Sequence, residues 1–141
     1  MKKLIALLIL IAVFISCTKE NATPETPVNE NVDTTTTVVQ SMGSFINGPW
    51  GTVSGSAEIR KEFDGGFILV LTNMKISNGP DLHVYLSKEV QPVNFIDLGR
   101  LKSTVGNQVY AIPGSPNFDE YKYALIHCQQ YNHLFGSTEL K

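Results

Sequence analysis

The segment Val53-Ser-Gly-Ser-Ala-Glu-Ile-Arg60, followed after a short turn by Phe67-Ile-Leu-Val-Leu71, decides the fold class of this chain. In the first segment Val53, Gly55, Ala57 and Ile59 alternate with Ser54, Ser56, Glu58 and Arg60. That period of two is the pattern of a strand with one face buried. The second segment is continuously apolar and is bounded by Asp64-Gly-Gly66 and Thr72-Asn73, which predicts a central strand.

Downstream the same grammar repeats. Leu82, Val84 and Leu86 alternate with His83 and Tyr85 after the turn signal Ser77-Asn-Gly-Pro80. Shorter strands fit Phe95 to Leu98, Gln108 to Ile112, Tyr123 to Cys128 and Leu134 to Leu140. Apart from the N-terminal segment, no stretch carries helical periodicity. Seven or eight short strands punctuated by Gly, Pro or Asn predict an all-β domain over residues 44–141, an antiparallel sandwich or a barrel-like closure.

Upstream of Ser44 the composition changes. Residues 17–43 are rich in Thr and Pro and carry little to bury, so a disordered tether that holds the domain off a membrane is expected there. Before it, Lys2 and Lys3 precede the apolar run Leu4 to Ser16, a signal-peptide pattern over residues 1–16. That run is well short of the ~20 residues a spanning helix needs. It ends Phe14-Ile-Ser-Cys17, which resembles the lipobox of bacterial lipoproteins, although Phe14 stands where Leu is usual. The resemblance implies cleavage before Cys17, acylation of that residue, and attachment to the membrane by lipid. Thr18, with no Asp in its place, implies by lipoprotein sorting rules the cell envelope and the outer membrane.

Charge excludes two classes of partner. The chain has a net charge of −2, and loss of Lys2 and Lys3 would leave 9 basic against 13 acidic residues. No basic stripe exists, so neither nucleic acid nor an anionic membrane surface is an expected partner.

Chemistry is sparse. There is no Gly-rich phosphate loop, Cys-x-x-Cys, His-Glu-x-x-His or Gly-x-Ser-x-Gly, and the carboxylates are scattered. No catalytic residues are assigned, and the chain does not read as an enzyme by itself. The chain has two cysteines; if Cys17 is lipidated, Cys128 is the last thiol and has no disulfide partner in its own chain. A redox role and a structural role therefore meet at this residue. Strand parity puts Cys128 on one face with Ala124 and Ile126, and Tyr123, Leu125 and His127 on the other. A cysteine among small aliphatic residues behaves as a core hydrophobe. A metal reading also exists: His83, Cys128 and His133 have the spacing of a mononuclear blue-copper site, without an axial methionine after His133.

Taken in order, Val53-Ser-Gly-Ser-Ala57, Gly79-Pro-Asp-Leu-His-Val-Tyr-Leu-Ser87, Ile96-Asp-Leu-Gly-Arg-Leu-Lys102, Gly106-Asn-Gln-Val-Tyr-Ala-Ile-Pro113 and Ala124-Leu-Ile-His-Cys128 resemble the DM13 domain. The resemblance covers about Ser44 to Leu140. It implies an all-β module taking part in extracytoplasmic electron transfer, with Cys128 as the family's cysteine. The residue before that cysteine is usually Trp, and here it is His127; the position of His133 is typically aliphatic. With no cytochrome-like domain on this chain, a separate redox protein would supply the electrons. The expected function is a lipid-anchored electron-transfer or redox accessory using Cys128. The alternative is a non-catalytic cell-surface binding or scaffold module in which Cys128 is structural.

Overall fold

The computed structural model describes residues 22–141, so the signal-peptide segment and Cys17 lie outside the described residues. Ten strands follow one another: β1 (Val28–Asn29), β2 (Thr37–Ser44), β3 (Ile46–Asn47), β4 (Val53–Glu62), β5 (Phe67–Ile76), β6 (Leu82–Ser87), β7 (Phe95–Arg100), β8 (Val105–Ile112), β9 (Tyr123–Cys128) and β10 (His133–Glu139). They form two five-stranded sheets, ordered β1-β8-β5-β4-β2 and β3-β10-β9-β6-β7. Every pairing is antiparallel except β1 with β8. The expected all-β sandwich is the fold. Among the described residues no helix is long and apolar enough to cross a membrane.

The alternation that predicts the strands also builds the core. Ala57 and Ile59 of β4, Leu69 and Leu71 of β5, Val84 and Leu86 of β6, and Ala124 and Ile126 of β9 join one buried cluster. Each fully buried Leu or Ile contributes roughly 1.5–3 kcal/mol of transfer free energy. On β6 the complementary set is buried as well, so all six of its residues are covered. Tyr85, Leu125 and Leu134 form a second cluster, with Tyr123 packed beside it. Phe95 caps Tyr85 with its ring at 4.3 Å. The second sheet is therefore covered on both faces over β6 and β9, which strict alternation did not predict for positions such as Leu125.

The stretch expected to be a disordered tether is folded over its described part. β2 pairs with β4 from Thr37↔Glu62 to Ser44↔Ser56, and β1 pairs in parallel with Gly106 and Asn107 of β8. Thr and Val are favoured on a pleated surface, so the Thr- and Val-rich run Thr34 to Val39 carries strand propensity despite its polarity. β2 is an edge strand with mostly exposed side chains, and its order comes from backbone pairing rather than from burial.

Ahead of β2, residues 22–36 form a strap across the domain. Ala22 bridges to Pro80, the Thr104 amide donates to the Pro24 carbonyl at 2.9 Å, and Ser103 Oγ donates to the Thr26 carbonyl at 2.8 Å. Glu30 accepts from the Val109 amide at 2.7 Å and from Lys102 Nζ at 2.7 Å. Lys102 holds the Glu30 carboxyl below its ordinary range, and the Val109 amide adds to that.

Candidate functional site

Cys128 ends β9 at one end of the sandwich. It is 1% exposed, a free thiol, and part of the main core with Ala124 and Ile126, as strand parity predicts. Directly opposite on β6 lies Leu82, on the same inner face. The thiol donates to the Pro80 carbonyl at 3.0 Å. Sulfur is a weak donor, but this bond gives the buried S–H a partner and fixes its direction.

Pro80 belongs to the turn Ser77 to Asp81, and that turn is held from several sides. Asn78 Oδ1 accepts from the Gly79 amide at 2.8 Å, while Asn78 Nδ2 donates to the Thr23 carbonyl at 3.2 Å and to Glu25 at 2.7 Å. Asp81 takes a left-handed backbone, φ 54°, and its carbonyl accepts from the Gln129 amide at 3.0 Å. The strap, the turn and the end of β9 thus close over the sulfur together. The Asp81 carboxylate reaches out of the turn to Arg100 at 2.7 Å and His83 Nε2 at 3.3 Å, and Asn78 supplies the local bond.

The expected copper trio does not converge. His83 pairs in register with His127, one position off the Leu82–Cys128 pair, so its side chain leaves the sheet on the face opposite the thiol. Its Nδ1 lies 2.9 Å from Asp97 and its Nε2 faces Asp81, so carboxylates occupy both ring nitrogens. His133 is set against Trp50, with ring centroids 3.7 Å apart and an interplanar angle of 2°. Among the described residues no group of three or more His, Cys, Asp or Glu side chains is placed to hold a metal ion. The two faces of the sheet separate His83 from Cys128, whereas His133 stands directly opposite Cys128 in the β9–β10 pairing and gives its ring to Trp50.

His127 is the polar residue that sequence reasoning undervalued. It is 2% exposed and stacks on Tyr85 at 5.2 Å. Neither ring nitrogen has a hydrogen-bond partner, although Asn132 stands near. Burial pushes its pKa down, and His133 and His83 push the same way. Tyr85, between His127 and Phe95, has its phenol pushed up by burial and then by Asp97. The signal available in sequence was the outer parity of His83, Tyr85, Leu125 and His127; what was missing was that this face is also covered.

Two five-stranded sheets packed around one shielded thiol define the molecule as an all-β sandwich module with a single candidate redox residue among those described. The family model described as Electron transfer DM13 matches residues 44–140, and the chain belongs to the DM13 family. No curated protein and no solved structure matches the chain. The strap and nearly all of β2 precede the matched residues.

Proposed function

We propose that this protein is a cell-envelope lipoprotein, anchored through Cys17, whose DM13 domain serves as an electron-transfer accessory with Cys128 as its redox residue. A separate redox protein exchanges electrons with it. The family's description as an electron-transfer domain supports the general role. The observation that carries the assignment to Cys128 is its thiol bonded to the Pro80 carbonyl, beneath a turn that the N-terminal strap grips. With no second cysteine in the domain, the thiol cannot close an internal disulfide. Its exchange chemistry is therefore attack of the Cys128 thiolate on a disulfide of the partner, which forms a mixed disulfide and releases one partner thiol, and it follows local opening of the Pro80 turn.

One specific observation favours a second reading. Cys128 is 1% exposed among aliphatic residues, the setting of a structural cysteine in a non-catalytic surface binding or scaffold module. Maleimide labelling of the native protein across a urea series separates the two. Local opening gives a labelling rate that is appreciable without urea and flat at low urea. A rate that tracks global unfolding throughout would establish the structural reading and end the redox one.

A further inference from the structure

Trp50 and Tyr131 stand at the end of the sandwich where β9 passes into β10. Trp50 lies flat on His133, and Tyr131 stacks on the same imidazole at 5.9 Å. Stacking holds both rings in place, yet Trp50 is 59% exposed and Tyr131 56%. Rigid amphipathic rings offered to solvent are what protein surfaces place at the water–bilayer boundary, where the apolar body enters and the N–H or O–H stays wet.

The N-terminal strap enters at the same end. Ala22 bridges to Pro80, and Thr23 Oγ1 donates to the Gly79 carbonyl at 3.5 Å. Gly79 and Gly51 both abut the Phe135 ring, and the Trp50 amide donates to the Leu134 carbonyl at 3.3 Å. The strap's entry point and the Trp50 loop therefore flank the same side chain. From Cys17 to Ala22 the chain reaches at most ~18 Å even when fully extended. By contrast, β4 runs its 10 residues, about 33 Å, away from this end toward the β4–β5 turn at Phe63. A lipid on Cys17 leaves the strap end beside the bilayer and the Phe63 end away from it.

We propose that Trp50 and Tyr131, stacked on His133, form a docking surface for the lipid interface, so that the anchored domain rests on the bilayer with its Cys128 end down. The Pro80 turn over Cys128 then opens toward the membrane side, where a membrane-bound partner would meet it. This proposal rests on the lipidation of Cys17 inferred above.

Trp50 is the single tryptophan of the chain, so its fluorescence reports this surface alone. The full-length protein, purified from membranes, is reconstituted into phosphatidylethanolamine–phosphatidylglycerol vesicles with and without brominated acyl chains. Its mass reports acylation separately. The expected result is acylated protein whose Trp50 emission shifts to the blue, is quenched by brominated lipid, and is shielded from acrylamide relative to the soluble Cys17→Ser form. Tyr131→Ser should weaken the quenching several-fold. Moving the probe to the far end, as Trp50→Phe with Phe63→Trp, should abolish it. Acylated protein with Trp50 open to acrylamide and untouched by brominated lipid would overturn the docking surface and leave the anchor standing. Protein of unacylated mass would remove the anchor and this proposal with it, while Cys128 could still be redox-active.

Discussion

The Cys128 thiol donates to the Pro80 carbonyl at 3.0 Å, and so the end of β9 is tied to a turn that the N-terminal strap also grips. Three segments far apart in the chain are joined through the Pro80 turn. A change in any of them should be felt at the other two.

Cys128→Ala removes the sulfur, its packing and its bond to Pro80. Loss of a small core side chain with one weak hydrogen bond should destabilise the domain by ~1–2 kcal/mol. The urea midpoint should fall with little change in slope. Protection of the Gln129 amide, which donates to Asp81 in the same turn, should fall in hydrogen exchange.

His127→Phe should stabilise the protein. The imidazole is buried with both nitrogens unpaired, and a phenyl ring keeps the stack on Tyr85 without that cost. Removing one unsatisfied buried polar group should yield a gain of about 1 kcal/mol in chemical denaturation at pH 7.

The same residue sets a pH dependence. The His127 pKa is lowered from 6.5 in the folded protein, so the unfolded chain binds the proton more readily. The contribution of neutral His127 to stability is therefore present above pH 6.5 and is lost as pH falls from there toward the folded pKa. Denaturation midpoints of the wild type should decline over that window, and His127→Phe should flatten the decline.

Gly106→Ala should detach the strap. Gly106 has φ +109°, and an added Cβ would collide with the Val28 carbonyl, a backbone atom that cannot swing aside. Parting of β1 from β8 relieves that clash, while the left-handed backbone strain of ~1–3 kcal/mol stays in either case. Limited proteolysis should then cut within residues 22–36, and maleimide should reach Cys128 faster than in the wild type.

Glu30→Gln tests the same strap more gently. Glu30 and Lys102 are each 38% exposed in their side chains, so the ion pair itself is worth well under ~1 kcal/mol. Global stability should barely move, whereas proteolytic cutting within the strap should rise several-fold because the bond to the Val109 amide weakens. Comparing protease rates with denaturant midpoints checks both halves.

Much of the candidate site could be read before folding. The parity of Tyr123 to Cys128 placed the thiol inward with Ala124 and Ile126, and the structure agrees. The same rule set His83 and Tyr85 apart from Leu82, Val84 and Leu86, but only the β6–β9 register put His83 on the face opposite Cys128, where linear spacing had suggested a shared metal. Burial of the outward set could not be read, because Phe95 reaches Tyr85 from another strand. The strap escaped as well: Thr23, Thr26 and Glu30 look like linker residues until Gly79, Ser103 and Val109 arrive beside them.

The sequence by itself determined the strands from β4 onward and the direction in which their side chains leave them, because alternation across a pleat is set by neighbouring residues alone. It also supplied the single cysteine of residues 44–141 and the single tryptophan of the chain. Tertiary structure alone decided that the Thr/Pro-rich segment pairs with β4 and β8, that carboxylates occupy His83, and that Cys128 lies under Pro80. Those outcomes depend on register and sheet order between distant segments, where backbone hydrogen bonds form whatever the side chains are, so no local pattern announces them.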